Sequence, residues 1–248
     1  RRAPDRPLPA GVELTLADLA DAASLRPALR GVEAVFLFTP VGGASPLAAL
    51  AREAGAQRGV LLSSIVTQKA PAQGNAIAAR HAAAEQALLD SGLPGTLLRP
   101  DTFAANALDW AAAIRAGGMV RLPYPLATRC PIHERDIAEI AALALLQPGH
   151  EGEAYWITGP QTLTQADQLQ TLARAIGRPL RLEEQDPCEA LAQWSARMPA
   201  AAAQRLLDYL QRSVDQPSPL SPQVARLLGR PALSFEDWAR DHRADFIV

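Results

Sequence analysis

Three hydroxyls and one imidazole stand where this sequence could do chemistry. Ser63 and Ser64 follow the apolar run Val60-Leu61-Leu62, and Thr39 with Pro40 closes the strand expected over 32–38, which is apolar apart from Glu33. Short uninterrupted apolar runs are what parallel strands buried on both faces require. Each hydroxyl therefore marks a strand's carboxyl end, and in an open parallel sheet ligands lie in the crevice just beyond those ends. His81 belongs to the segment that follows, a helix capped by Asn75 and stopped by Gly92. At about 100° per residue, Ile77, His81, Ala84 and Leu88 share one stripe, and Glu85 sits at its margin one turn beyond His81. The stripe aims the imidazole at the sheet. It would equally suit a core histidine bonded to a carbonyl, and Glu85 reads as a partner for His81 or as a surface i,i+4 contact.

Other chemistries find no footing. There is no G-x-S-x-G, and His133, His150 and His242 are too scattered for a metal site, so no metal is expected. Cys130 and Cys188 lack metal-type spacing, and one pair does not establish a disulfide, which leaves a reduced, cytoplasmic protein as the default. With 24 Lys and Arg against 26 Asp and Glu, the net charge of −2 argues against a nucleic-acid partner. Lys69 is the only lysine, and the abundance of arginine and alanine reads as coding bias. No apolar run approaches the roughly 20 residues of a spanning helix, and no signal sequence opens the chain. No membrane partner is expected.

The elements that must position these groups alternate as strand and helix with short connections, the pattern of an α/β fold with a doubly wound parallel sheet. A strand over 12–16 precedes Asp18-Leu19. A helix capped by Asp21 or Ser24 ends at Gly31, Pro46 opens a helix to about 57, and Thr96 begins a strand closed by Pro100. Residues 103–116 read as helical. From 119 the character changes: a loop with three prolines, a strand fragment and Tyr124, an amphipathic helix over 134–146, a strand over 153–158, and a helix boxed by Thr164 and Asp167. The organisation expected is a sheet domain over 1–118 and a smaller, mostly helical lobe over 119–248, with 132–160 returning to the sheet.

Taken in order, these segments resemble the NmrA-like branch of the atypical short-chain dehydrogenase/reductases, an NAD(P)-binding group. The residues that carry the resemblance are Gly11-Val-Glu through Asp18-Leu19, VFLFTP ending at Pro40, LLSS ending at Ser64, His81 with Glu85, SGLP through Leu98-Arg99-Pro100, Phe103 with Asn106, Arg135-Asp136-Ile137-Ala138, and YWITGP ending at Pro160. The resemblance implies a Rossmann-like fold and assigns roles. Arg1 or Arg2, at the end of the family's second strand, would meet the 2′-phosphate of NADP(H), which makes NADP(H) the preferred cofactor over NAD(H). Asp18 and Leu19 would flank the adenine; Thr39, Pro40, Ser63, Ser64 and Pro100 would line the cofactor; His81 would reach the nicotinamide ribose as the candidate catalytic group; Phe103, Asn106 and Tyr124 would face a small-molecule substrate.

Two features depart from the family. The glycine-rich G-x-x-G-x-x-G turn that cradles a pyrophosphate is missing, since Gly42-Gly43 follows the wrong strand and lacks the spacing. The expectation is therefore a chain without the family's N-terminal β-α-β segment, an orphaned strand at 12–16, an exposed edge at 35–38, and poor dinucleotide binding by these 248 residues. The family's Tyr-x-x-x-Lys is also absent: Tyr124, Tyr155 and Tyr209 have no lysine four residues on. Alcohol oxidation by that route is not expected. Hydride transfer to a quinone, enone or imine fits, as does a non-catalytic redox sensor with a protein partner, or an incomplete fragment without activity.

Overall fold

The structure, a computed structural model, describes residues 8–18, 21–39, 46–69 and 75–247. Arg1, Arg2, Leu19, Pro40 and Gly42-Gly43 lie outside them. The apolar runs form strands as anticipated. In chain order the first half comprises α1 (Ala22–Leu25), β1 (Ala34–Phe38), α2 (Leu47–Glu53), β2 (Arg58–Leu62), α3 (Val66–Lys69), α4 (Ala76–Asp90) and β3 (Gly95–Pro100). The second half adds α5 (Ala111–Gly117), β4 (Met119–Leu122), β5 (Thr128–Arg129), α6 (Glu134–Leu146), β6 (Ala154–Ile157), β7 (Leu163–Thr164), α7 (Gln165–Ile176) and β8 (Arg181–Glu184). Four helices follow before the last, α8 (Pro187–Ser195), α9 (Ala200–Asp215), α10 (Gln223–Leu228) and α11 (Phe235–Asp241), with α12 (Arg243–Phe246) closing the chain.

The main sheet has the order β1-β2-β3-β6, with every pair parallel. Alternate residues of each strand feed opposite faces, as a pleated strand requires. Val35, Leu37, Leu61 and Leu97 pack under α2 and α4 with Leu50, Leu88 and Leu93. Val60, Leu98 and Ile157 pack on the other face against α6 and α10 through Ile137, Ile140 and Val224. This is the α/β, Rossmann-like architecture expected. Gly59 and Gly95 let α4 lie close to the sheet: a Cβ on Gly95 would stand 2.8 Å from Leu88, and one on Gly59 2.7 Å from Leu93. The other half is stitched by two small sheets, β4 parallel to β8 and β5 antiparallel to β7. Its own core gathers Ile114, Leu122, Leu172, Phe235, Trp238 and Phe246.

Several expectations about elements need correction. Residues 12–16 form no strand, and Val12, Leu14 and Leu16 are exposed. Among the described residues β1 has β2 as its only sheet neighbour, and no strand pairs with residues 12–16. The helix after Asp21 is one turn long, because Pro27 tightens the next turn at 26–29. Residues 104–110 likewise wind as a tight three-residue-per-turn helix before α5 begins. The strand fragment expected within 119–131 is β4, whose partner β8 lies far along the chain.

Candidate functional site

The carboxyl ends of β1, β2 and β3 meet. Phe38 is in register with Leu62, and Leu62 with Leu98. Just beyond them the Ser63 amide donates to the Leu98 carbonyl at 2.8 Å and the Ile65 amide to the Pro100 carbonyl at 3.1 Å. Thr39, Ser63 and Pro100 therefore line one crevice, and α4 supplies the imidazole: His81 Nδ1 and Thr39 Oγ1 are 3.0 Å apart.

The hydrogen-bond pattern is the one that an Nδ1–H tautomer of His81 makes. Thr39 Oγ1 lies 3.1 Å from the Leu62 carbonyl and donates its one proton there. It can then only accept from His81, so the ring proton sits on Nδ1 and Nε2 carries the free lone pair. Burial pushes the His81 pKa down and the charge of neighbouring Arg80 adds to this, against an opposing pull from Glu85. The ring is neutral at pH 7, and its exposed-nitrogen role is that of an acceptor.

Beneath the imidazole lies an ionic hub. Arg99 of β3 grips Glu85 in two-pronged fashion, Nε to Oε1 at 2.9 Å and Nη2 to Oε2 at 2.7 Å. Ser63 donates to Oε1 at 2.5 Å and Thr67 at 3.3 Å. Burial alone would raise the Glu85 pKa, but the hydrogen bonds from Arg99 and Ser63 and the guanidinium charge hold it below the ordinary carboxylate range. Glu85 was expected at the margin of the helix stripe as a partner for His81. It is instead buried and belongs to Arg99, whereas Ile77, expected inward, is exposed; the buried side of α4 is centred on Ala78, Ala84, Glu85 and Leu88. The hub explains the rotation, since a buried arginine pulls its carboxylate inward.

The remaining expected residues are placed as follows. Ser64 Oγ accepts from the Val66 amide and starts α3. Asp18 is anchored by its own amide, which donates to Ser24 Oγ. Phe103 forms a single bridge with Ile132 and, like Asn106, is exposed. Tyr124 adopts a left-handed backbone, φ 53°, held by Gln165, whose side-chain amide donates to the Pro123 and Tyr124 carbonyls. Hydrogen bonds link none of these last three to the Thr39–His81 pair. Tyr155 lies near the start of β6, at the far end of the sheet, where its hydroxyl meets His150. Sequence reasoning missed Arg99 and Arg80. An arginine inside the apolar strand TLLRP was itself a signal, because a charge there must be paired. Arg80 Nε is buried without a hydrogen-bond partner.

The groups at the crevice mouth fit a nicotinamide dinucleotide. They comprise a neutral acceptor nitrogen on His81 and the small hydroxyls of Thr39 and Ser64 for sugar hydroxyls, and Arg80, next to His81 in the chain, has an unpartnered guanidinium nitrogen. Among the described residues no group of three or more His, Cys, Asp or Glu could hold a metal ion, and no helix is long and apolar enough to cross a membrane.

Two histidines give opposite pH signatures. Because the folded pKa of His81 lies below its unfolded value near 6.5, its contribution to stability is present above that value and lost as pH falls through the folded one. At His242 burial would lower the pKa, but bonds to Asp245 and Glu134 outweigh it and raise the value. Its contribution is full below 6.5 and lost as pH rises through the folded pKa. Urea denaturation between about pH 5 and about pH 8 should show wild type losing its advantage over His81→Gln toward acid and over His242→Gln toward base. Parallel profiles for both variants would refute the two assignments.

The family model described as NAD(P)H-binding matches residues 1–148. The chain is 39% identical over 240 residues to a (4-alkanoyl-5-oxo-2,5-dihydrofuran-3-yl)methyl phosphate reductase of Streptomyces griseus, covering 95% of this chain and 85% of that one. It is 33% identical over 248 residues to an NAD(P)H azoreductase of Xenophilus azovorans, covering 95% and 84%. The fold matches an NADPH-dependent quinone oxidoreductase from Escherichia coli complexed with NADPH, with TM-score 0.75, 24% identity, and 93% and 83% of the two chains covered.

Proposed function

Because this chain belongs to the NAD(P)H-binding family, whose model spans its first 148 residues, we propose that it is an NAD(P)H-dependent reductase of the NmrA-like type. Its substrate is a small conjugated ring, an unsaturated lactone or quinone. The observation that carries the reading is the Thr39–His81 contact of 3.0 Å beyond the ends of three parallel strands, where such sheets bind their ligands. The names of two relatives support it, one a reductase of a dihydrofuranone phosphate and one an NAD(P)H azoreductase.

Bound there, the nicotinamide supplies the hydride. Thr39 fixes the His81 ring, and His81 Nε2 accepts a ribose hydroxyl. Ser64 and Pro100 line the nicotinamide side. Ser63 is committed to Glu85 and acts by holding the β2 end in place. Arg80 would offer a donor for a phosphate oxygen, as Arg2 would for a 2′-phosphate; by the resemblance Asp18 and Leu19 would flank the adenine and Pro40 would line the cofactor with Thr39. Phe103, Asn106 and Tyr124, from the lobe over 119–248 and the segment leading into it, face the substrate.

The test is NADPH oxidation with menadione and with an α,β-unsaturated lactone, on the protein together with any coding sequence that precedes Arg1. Turnover is expected, with His81→Ala raising the KM for NADPH about 10-fold, the cost of about one charge-free contact set at 1.4 kcal/mol. Tight NADPH binding without turnover would replace the enzyme by the redox sensor. Neither binding nor turnover would reject both.

A further inference from the structure

Arg129 is a guanidinium stacked on a ring and, among the described residues, bonded to no oxygen. Its backbone is fixed on both sides: β5 pairs with β7, Arg129 opposite Leu163, the Thr128 hydroxyl donates to the Ser213 carbonyl at 2.8 Å, and the Cys130 thiol donates to the Ser218 carbonyl at 3.2 Å. These contacts tie β5 to the end of α9 and the segment after it. The guanidinium carbon lies 4.1 Å above the centroid of the Tyr209 ring, contributed by α9. Stacking on a ring face satisfies the flat side of a guanidinium and leaves its N–H edge pointing outward.

That edge meets no acceptor. Among the described residues Arg129 donates no side-chain hydrogen bond and forms no ion pair, although it is half-buried. Guanidinium groups withdrawn from water are ordinarily paired, as Arg99 is with Glu85. Asp101 is near enough for its charge to act on Arg129 but makes no ion pair with it, and one of its carboxylate oxygens, Oδ1, accepts from the amide and hydroxyl of Thr102 at 2.8 and 3.2 Å. Burial pushes the guanidinium pKa down, the mark of a charge held out of water.

The location is informative. Asp101 directly follows Pro100, the end of β3, and two residues beyond Cys130 the Ile132 amide donates to the Thr102 carbonyl at 2.9 Å. The segment that carries Arg129 is therefore tied to the stretch just beyond the β3 end, and the Asp101 charge in that stretch reaches the guanidinium. A planar fork of N–H groups matches two oxygens of a phosphate.

We propose that Arg129, stacked on Tyr209, is the binding site for the phosphate monoester of the substrate, which makes the preferred substrate an anionic one. This rests on the reductase reading for the word substrate, whereas the binding site itself does not require turnover. Specificity follows from the same feature: a neutral analogue leaves the fork unpaired and gains nothing from it.

The probe is benzyl phosphate, a ring-methyl phosphate, with benzyl alcohol, inorganic phosphate and benzoate alongside, titrated calorimetrically without cofactor. Benzyl phosphate is expected to bind one to one and benzyl alcohol much more weakly. Arg129→Met, which keeps an apolar stem over Tyr209, weakens benzyl phosphate about 10-fold or more, Arg129→Lys less, and neither alters NADPH affinity. Equal binding to wild type and Arg129→Met overturns the proposal. So does tighter binding of benzoate than of benzyl phosphate, or a loss confined to NADPH, which would make Arg129 a contact of the cofactor phosphate. Should the variants not fold, wild type alone decides: benzyl phosphate must protect Arg129 from phenylglyoxal, read by mass spectrometry, and undiminished modification rejects the site. NADPH oxidation in the same preparations reports separately on the reductase reading.

Discussion

Glu85→Leu is expected to destabilise the protein by about 3 kcal/mol at neutral pH, the lower part of the range for breaking a buried ion pair because Arg99 keeps some solvent access. The side chains of Glu85 and Arg99 are 10% and 16% exposed, and removing the carboxylate leaves the guanidinium largely buried with no counter-charge. Ser63 and Thr67 lose their acceptor at the same time. Replacing both partners, Glu85→Leu with Arg99→Met, should recover most of the loss, since an apolar pair of similar volume avoids the desolvation cost. Equilibrium urea denaturation of the two singles and the double measures this. The gap between wild type and Glu85→Leu should also close in acid: the folded pKa of Glu85 is depressed, so its contribution is present above the unfolded value near 4.5 and lost as pH falls through the folded one. A single variant within about 1 kcal/mol of wild type would mean that the hub is a solvated surface contact.

Gly159→Ala is expected to cost at least about 3 kcal/mol, through a clash with no easy relief. A Cβ at 159 would stand 1.9 Å from the Pro131 carbonyl oxygen and 2.9 Å from its carbon. The obstacle is backbone, and that backbone is pinned by the Gly159 amide to the Cys130 carbonyl and by the mutual bonds of Ile132 with Thr102 and Ala104. Gly117→Ala is the control: nothing lies within 4 Å of its Cβ position, and it should be neutral or stabilising by up to about 1 kcal/mol. Thermal melting of both variants checks the contrast. Equal melting temperatures would show that residues 130–132 can move aside, and with them the strand that presents Arg129.

The strands and their ends were legible because each rests on a local pattern. Apolar runs closed by Thr39, Ser63 and Pro100 needed no tertiary information to be read as buried parallel strands, and an Asn75 cap with a Gly92 stop framed α4 within a residue. The rotation of α4 was not legible. Periodicity alone put Ile77 inward and Glu85 at the margin, because a hydrophobic stripe cannot anticipate that a carboxylate will be drawn into the core by Arg99, fourteen positions on. The same limit hid the pairing of β4 with β8, which is distant in the chain, and the ring partner of Arg129, which lies on α9. A short alternating run and an isolated arginine carry no mark of what they will meet. Residues 12–16 failed for the converse reason: alternation was present, but a strand exists only where a neighbour can take its hydrogen bonds.

The sheet order has a consequence for synthesis. β6 joins the outer side of β3 only after residues 101–153 have been laid down elsewhere. As the chain leaves the ribosome from its amino end, β1 to β3 can assemble while the far flank of β3 still offers bare amides and carbonyls to any passing strand. Nascent copies are therefore vulnerable during that interval, and a chaperone that shields Leu97 to Pro100 until residue 157 emerges would raise the yield of native protein.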